Sequence, residues 1–248
     1  IKKANGGSLR NYKVIYSNLY SKDVANLKAF WAKRGFKPVF KSVTDDETFL
    51  AQGDLVVSEN SPTVKEILDF MMLWSDNLLA DRLAGLAARA AGYSPNIKGI
   101  EIIFRTLLAQ FEIDDSKLVV ADASGLSKKN KITAKLMGEL LYKIRIDARY
   151  ALLYESLPIG GVSGTLQSRF TTTAPSAVGL VRAKTGTLNG TATLAGYVQS
   201  TDREYVFVTL ADDIAKGNAA LNKARAAIDR VLGRIAAPNI PAEISPAP

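Results

Sequence analysis

The sequence predicts an α+β fold, because helical patterns fill the middle of the chain and strand patterns follow near its end. Apolar residues recur at helical spacing, and the predicted helices are 22–34, one that opens at Ser61-Pro62, 78–91, 98–112, 133–146, 148–156 and 216–236. Strands are predicted at 180–187, 191–200 and 204–212, and Thr201-Asp202-Arg203 suits a hairpin turn between the last two. This order favours an antiparallel sheet with helices over a doubly wound parallel sheet.

Four further segments complete the predicted layout. The segment "KLVVADASGLSKKN" (117–130) is typical of a strand that leads into a Ser/Gly loop, and "LPIGGVSGTLQSRF" (157–170) is a Gly-rich loop of unusual length. Two strands are predicted at 36–43 and 48–60, around an acidic turn. The Pro-rich end, 237–248, is predicted to be disordered.

The composition excludes several kinds of chemistry. The 248 residues carry a net charge of +8 and include no Cys and no His, which removes thiol catalysis and the commonest general base. An enzyme built from this chain must therefore move protons with Lys, a carboxylate or Tyr. The sequence offers no run of roughly 20 apolar residues that could span a membrane. Its positive charge suits an anionic surface such as a cell wall, a membrane or nucleic acid.

Two short polar motifs interrupt the apolar patterns. Ser75-Asp76-Asn77 separates two predicted helices, and Lys184-Thr185-Gly186 opens a predicted strand. Each motif alone has an ordinary structural explanation, since Ser, Asp and Asn favour helix N-caps and Thr-Gly is typical of turns. Together, S-D-N followed by K-T-G forms two thirds of the motif set of serine enzymes that recognise penicillin. The absence of His agrees with this chemistry, which uses Lys as the base.

Four longer strings make the resemblance specific. In order along the chain they are "SPTVKEILDFMMLWSDNLLAD", "VADASGLSKKNKIT", "LPIGGVSGTLQSRF" and "AKTGTLNGTATLAGYV". They resemble the later motifs of the D-alanyl-D-alanine carboxypeptidases of the penicillin-binding protein 4 type, which are class C penicillin-binding proteins of peptidase family S13. The resemblance runs from about residue 22 to about residue 236. It implies a penicillin-binding-protein/β-lactamase-like transpeptidase fold, with an antiparallel sheet flanked by helices and a helical subdomain, incomplete at its N-terminus.

The resemblance also implies roles for individual residues. Ser75 would pass protons between the Lys base and the leaving amine, and Asn77 would hydrogen-bond the substrate peptide and the base. Lys184 would sit at the terminal carboxylate of the leaving D-Ala, with Thr185 and Thr187 adding hydroxyl hydrogen bonds. The backbone N–H of Thr187 would form half of the oxyanion hole. The strand after Gly186 would pair with the extended substrate.

Two loops are expected near this site. Asp122, Ser124 and Gly125 belong to the "D-x-S-G-L-S" string, and the resemblance implies that this loop walls the site, with a structural rather than catalytic Asp122. Gly160, Gly161 and Gly164 turn the loop 157–170. That loop is expected either to pack near the site or to lie on the surface, and the sequence leaves both alternatives open.

One family motif is missing from the sequence. The family nucleophile is the Ser of S-x-x-K, and no Ser of this sequence has a Lys three residues later. Ser61 comes closest, but Lys65 is four residues on and Pro62 intervenes. In the family, a large inserted domain separates S-x-x-K from the S-x-N motif. We therefore expect residues 1–43 to be the end of that insertion and the return to the catalytic fold, 44–236 the catalytic domain and 237–248 a Pro-rich tail. The S-x-x-K motif is then expected on other sequence or on a companion polypeptide.

The same observation argues against a class A β-lactamase. In those enzymes S-x-x-K lies closer ahead of S-D-N, so residues 1–74 should contain it, and they do not. The E-x-x-L-N string of those enzymes is also missing between Ser75 and Lys184.

The expected function is a serine-type D-Ala-D-Ala carboxypeptidase of peptidoglycan stem peptides, with possible endopeptidase action, that forms an acyl-enzyme and is inhibited by β-lactams. No metal or organic cofactor is implied, and the expected compartment lies outside the cytoplasmic membrane. The alternative is a fragment or relative that binds cell-wall peptide or a partner without turnover. Nucleic-acid binding ranks low, because the Lys residues are spread along the chain and no zinc spacing is present.

Overall fold

The computed structural model of the protein describes residues 21–35 and 61–238. The chain divides into two units, Ile1–Ser61 and Pro62–Pro248. In the first unit, helix α1 spans Ser21–Ala32 and confirms the helix predicted over 22–34. The strands predicted at 36–43 and 48–60 lie outside the described residues, as does most of the predicted tail.

Three consecutive helices open the second unit: α2 (Val64–Trp74), α3 (Asn77–Ala90) and α4 (Ile97–Gln110). The start of α2 differs from the prediction, in which this helix opens at Ser61-Pro62. Thr63 is the N-cap instead, because it forms a capping box with Glu66: Thr63 Oγ1 accepts the Glu66 N–H, and the Thr63 N–H donates to Glu66 Oε2 at 2.7 Å.

Helices α3 and α4 form a helical subdomain with two small cores. Ala88 of α3 packs with Ile100 of α4 and with Val120. Near the far end of α4, Leu108 and Phe111 pack with residues that follow in the chain. Helix α4 therefore connects two apolar clusters, which fixes the chain that follows it against α3.

The segment 117–130 is a loop, and the strand predicted there is wrong. Its strand pairing is limited to one isolated antiparallel β-bridge, between Val119 and Lys131. Side chains replace a partner strand, since Asn130 Oδ1 accepts the backbone N–H groups of Ala121 and Asp122 at 2.7 and 3.2 Å. Local side-chain hydrogen bonds of this kind compete with strand pairing.

A three-stranded antiparallel sheet follows. After α5 (Ala134–Ile146) and the short helix α6 (Ala151–Glu155), the strands are β1 (Val181–Leu188), β2 (Thr191–Gln199) and β3 (Glu204–Ala211), in the order β1-β2-β3. The three strand predictions and the hairpin over 201–203 are confirmed, because Gln199 pairs with Glu204. Helix α7 spans Asn218–Ala236.

Helices cover both faces of this sheet. Leu194 and Val198 of β2 share the main core with Ile228 and Leu232 of α7. The intervening Tyr197 points to the opposite face, where its hydroxyl donates to the Leu141 carbonyl of α5 at 2.7 Å. The α+β prediction is thus confirmed for the described residues, and β1, which carries Lys-Thr-Gly, is one edge of the sheet.

The end of the Gly-rich loop is fixed to α7 by a buried ion pair. Arg169 donates to the Asp229 carboxylate, and Thr173 Oγ1 donates to the same carboxylate at 3.0 Å. Both charged side chains are largely buried, so loss of either would leave an uncompensated charge in the interior. None of the helices in residues 21–35 and 61–238 is long and apolar enough to span a bilayer.

Candidate active site

The Ser75-Asp76-Asn77 motif forms the sharp junction between α2 and α3. Asp76 is the N-cap of α3, and its Oδ1 accepts the Leu79 N–H at 2.9 Å. Ser75 ends α2 in the left-handed conformation, with φ 58° and ψ 49°. That conformation costs a non-glycine residue roughly 1–2 kcal/mol. The structural explanation of the motif therefore holds for Asp76, whereas Ser75 stores strain and Asn77 lines a cleft.

The Lys-Thr-Gly strand contacts this junction directly. Lys184 Nζ donates to Ser75 Oγ at 2.5 Å, across 109 residues of sequence, and to the Thr185 carbonyl at 2.8 Å. The fold therefore brings together the two motifs that the sequence singled out. No carboxylate of the described residues forms an ion pair with Lys184.

Burial without a carboxylate partner changes the acidity of Lys184. Desolvation lowers the pKa of its ammonium group from 10.5 to about 8. The uncharged form is therefore more accessible than for a lysine in water, so the group can both donate and accept a proton. Its hydrogen-bond partner, the Ser75 hydroxyl, can carry a proton onward because it is both a donor and an acceptor.

The three residues after Lys184 have different environments. Thr185 Oγ1 donates to Thr165 Oγ1 at 2.9 Å, in the Gly-rich loop. A Cβ on Gly186 would lie 2.3 Å from Thr193 Oγ1 on the neighbouring strand, so glycine allows that close packing. Thr187 is exposed, and its hydroxyl oxygen accepts a hydrogen bond from Arg225 Nη2 at 3.0 Å.

The D-x-S-G loop forms another part of the cleft wall. Ser124 and Gly125 line the cleft, whereas Asp122 does not. The Asp122 carboxylate instead accepts hydrogen bonds from the Gly125 N–H, the Ser127 N–H and the Asn130 side chain, at 2.6–2.7 Å. Burial alone would raise the pKa of Asp122, but these hydrogen bonds outweigh it and hold the pKa below its usual value. Asp122 therefore stabilises the loop.

The carboxylate of Asp81 fixes this loop to α3. Asp81 Oδ1 accepts the N–H groups of Ala123 and Ser124, each at 2.9 Å. Sequence reasoning missed Asp81, although a signal was present. Asp81 lies four residues after Asn77, and residues at that spacing share one face of a helix.

Replacing Asp81 by Ala is expected to loosen the loop over 122–127. Two partly buried N–H groups would lose their acceptor, and the free energy of unfolding would fall by about 1–3 kcal/mol. Urea denaturation of the purified protein measures the change. Glu155→Ala is the control, since Glu155 is exposed and no hydrogen bond is described for it. Equal stability of the two variants would contradict this role of Asp81.

The Gly-rich loop contributes Gly164 and Thr165 to the site. A Cβ on Gly164 would lie 2.5 Å from the Leu73 carbonyl oxygen at the end of α2, and Gly164 has a φ of 54°. Thr165 lines the cleft beside Thr185. Gly160 and Gly161 pack elsewhere, against Phe170 and Val178. The structure therefore favours the first alternative for this loop, which packs against α2 and β1.

Together these elements enclose a cleft of about 1080 Å³. The residues that line it include Ser75, Asp76, Asn77, Ser124, Gly125, Thr165, Arg169, Thr173, Lys184, Thr185, Gly186, Thr187, Asn222, Arg225 and Asp229. Sequence reasoning missed Thr165, Asn222 and Arg225, because only the tertiary fold brings α7 and the Gly-rich loop to β1. In the described part of the chain, no group of three or more Asp or Glu side chains is placed to hold a metal ion.

The sequence model of the D-Ala-D-Ala carboxypeptidase 3 (S13) family matches residues 16–235 of this chain. The chain belongs to this family. The identification from the four motif strings is thereby confirmed, and the family is one of carboxypeptidases.

Individual carboxypeptidases resemble the chain over most of its length. It is 37% identical over 188 residues to Carboxypeptidase DacB of Mycolicibacterium smegmatis, which covers 74% of this chain and 40% of that protein. It is 32% identical to D-alanyl-D-alanine carboxypeptidase DacB of Haemophilus influenzae, over 67% of this chain and 35% of that protein. The matches thus span at most 40% of the length of these two relatives.

The fold agrees with that of a solved penicillin binding protein structure. Penicillin binding protein 4 (dacB) from Haemophilus influenzae, complexed with a novel β-lactam, superposes with a TM-score of 0.71 at 26% identity. That match covers 90% of this chain and 53% of the other. The predicted penicillin-binding-protein fold is therefore confirmed. The domain boundaries at residues 43 and 236 stay predictions.

Proposed function

We propose that this chain supplies part of the active site of a serine-type D-Ala-D-Ala carboxypeptidase that acts on peptidoglycan stem peptides. The observation that carries the proposal is the 2.5 Å contact between Lys184 Nζ and Ser75 Oγ. A family motif set alone would be consistent with a decayed site. A partly buried lysine that hydrogen-bonds a serine beside a large cleft is consistent with a working proton path.

In this proposal a nucleophilic Ser attacks the carbonyl carbon of the peptide bond between the two D-Ala residues. The backbone N–H of Thr187 is half of the oxyanion hole for the charge that develops on the carbonyl oxygen. The Lys of S-x-x-K takes the hydroxyl proton of the attacking Ser, and Ser75 passes a proton from that Lys to the departing amine. D-Ala therefore leaves with an uncharged amino group, and water later hydrolyses the acyl-enzyme. Asn77 hydrogen-bonds the substrate peptide, and the strand after Gly186 pairs with it.

Lys184 has two tasks in this reaction. It binds the terminal carboxylate of the substrate while protonated, together with the hydroxyls of Thr185 and Thr187. It also shares a hydrogen bond with Ser75, which lets the two groups exchange a proton. A bound carboxylate would raise the pKa of Lys184 again, because a nearby negative charge favours the ammonium form.

The nucleophile has to come from other sequence, because residues 1–248 contain no S-x-x-K. We propose that it lies on polypeptide outside these residues, either continuous with them or in a companion chain. β-Lactams would acylate the same Ser, in agreement with the β-lactam complex of the Haemophilus influenzae protein. Endopeptidase action on stem peptides is part of the same proposal. The substrate places the protein outside the cytoplasmic membrane, in the periplasm or cell-wall space.

The alternative function is binding of cell-wall peptide or a partner without turnover. The missing S-x-x-K favours it, since without a nucleophile the same cleft could bind a peptide and do nothing further.

Intact-mass spectrometry before and after incubation with benzylpenicillin tests the proposal. The expected result is one penicillin adduct on polypeptide that carries S-x-x-K and copurifies with residues 1–248. Benzylpenicillin with a previously hydrolysed lactam ring is the control and should give no adduct. If only the 26.7 kDa chain is present and it gains no mass, the binding alternative holds. An adduct on a Ser within residues 1–248 would contradict the mechanism.

A further inference from the structure

Arg225 of α7 brings a second cation to the Lys-Thr-Gly strand. Its Nη2 donates to Thr187 Oγ1 at 3.0 Å, and its Nη1 donates to Asn222 Oδ1, one turn back on the same helix, at 3.1 Å. All three residues line the cleft. The guanidinium is thus held at the cleft by two neutral oxygen atoms.

The neighbouring carboxylate does not neutralise Arg225. Asp229 lies four residues later, at the spacing of a helical ion pair. Its carboxylate is instead occupied by Arg169 and Thr173. Arg169 also donates to the Arg225 carbonyl at 3.2 Å, which fixes the backbone there. Among the described residues Arg225 forms no ion pair, so its charge is available to a ligand.

The hydrogen bond to Thr187 has a defined polarity. The Thr187 oxygen accepts from Arg225, so the Thr187 O–H is left to donate to another group. Two of the five guanidinium N–H groups are used, on Thr187 and Asn222, and three remain. Arg225 and Thr187 therefore offer adjacent donors of the kind that bind a planar carboxylate from two sides.

We propose that Arg225 is a specificity-determining residue, which binds the free carboxylate of the ligand together with the Thr187 hydroxyl. The inference rests on the proposed function and deepens it, because it assigns preference for a free C-terminus to a residue of α7. Arginine suits this task, since its planar guanidinium presents forked donors that match the geometry of a carboxylate. Arg225 would then share the carboxylate with Lys184, which also keeps its hydrogen bond to Ser75.

Calorimetric titration with two peptides tests this inference. The probes are a stem-peptide mimic that ends in D-Ala-D-Ala and the same peptide with a C-terminal amide. The titration uses the protein with all sequence that naturally flanks residues 1–248, and the Ser of S-x-x-K is replaced by Ala so that the free-acid peptide is not cleaved. Wild type is expected to prefer the free acid at pH 7 and to keep part of that preference at pH 10, where Lys184 is mostly neutral. Arg225→Gln is expected to reduce the preference by about tenfold at pH 7 and by more at pH 10.

Two further variants control for charge and folding. Arg230→Gln removes the same charge from an exposed position of α7 and should leave the preference unchanged. Arg225→Lys keeps a positive charge but loses the forked donor, so it should retain only part of the preference for the free acid. This variant replaces Arg225→Gln in the test if Arg225→Gln does not fold. Full wild-type preference in either folded Arg225 variant would overturn the inference while the proposed function stands. If wild type binds neither peptide, the proposed function itself fails.

Discussion

Replacing Lys184 by Met is expected to make the protein more stable and its site less effective. The folded protein holds this ammonium at a pKa of about 8, against 10.5 when it is free in water. Each unit of that difference corresponds to about 1.4 kcal/mol. Because the side chain is only partly buried and solvent screens it, the charge lowers stability by on the order of 2–3 kcal/mol, less than the full product. Removing it is expected to raise the free energy of unfolding by a similar amount at pH 7.

The sign and the pH window of this effect follow from proton binding. Below pH 8 both states carry the proton, and the wild type has the full destabilisation. Between about pH 8 and 10.5 the unfolded chain binds more protons than the folded one, so the stability of the wild type rises with pH. The advantage of Lys184→Met should therefore be largest below pH 8 and fade towards pH 10.5.

Urea denaturation at pH 7 and pH 10 measures this difference. Lys223→Met is the matched control, because Lys223 is exposed on α7 and should show no such pH-dependent gain. A Lys184 variant that is destabilised, or whose gain does not change with pH, would refute the assignment of a desolvated ammonium. Binding of the free-acid peptide should fall by roughly 10²–10³-fold in the same variant, because an opposed charge and the contact to Ser75 are both lost.

Gly164→Ala is expected to be the most damaging change to the Gly-rich loop. The new Cβ would lie 2.5 Å from the Leu73 carbonyl oxygen and 3.0 Å from the Leu73 Cα, which are backbone atoms that no rotamer change can move. Alanine is also strained at the φ of 54° found here. Overpacking and strain together should lower the free energy of unfolding by about 2–5 kcal/mol.

The same substitution should impair the site. Relief of the clash requires the loop to move away from α2, which separates Thr165 from Thr185 and disturbs the end of α2 next to Ser75. Gly179→Ala is the matched control, with a φ of 79° but open space at its Cβ. It should lose only about 1 kcal/mol and keep peptide binding. Equal losses in the two variants, measured by thermal denaturation and calorimetry, would show that strain alone explains Gly164.

The elements of this fold were predictable where local pattern and tertiary packing agree. Strands β1 to β3 and most helices have apolar periodicities that match their buried faces, so the sequence located them well. The segment 117–130 was mistaken for a strand because its "LVV" run is apolar. In the structure, the side chains of Asp122 and Asn130 bond the backbone locally instead.

The candidate site was predictable to the extent that its residues lie in short motifs. Ser75, Lys184 and Thr185 stand in strings that the family resemblance singles out. Arg225 could not be found in this way, because its position at Thr187 depends on how α7 lies against the sheet. Helical spacing would also predict an ion pair between Arg225 and Asp229, whereas in the structure Asp229 pairs with Arg169.

The connection between Ser75 and Lys184 has a consequence for how the protein acquires its site. The sheet is a meander whose neighbouring strands are joined by short turns, so it can form early and almost independently of distant sequence. The Ser75–Lys184 hydrogen bond instead closes a loop of 109 residues, and long loop closures are entropically expensive. We therefore expect the site to assemble after the strands, so that some molecules have complete strands and an unassembled site. The circular dichroism signal of the strands would not distinguish such molecules from native protein. Ligand binding would distinguish them, because it requires the assembled site.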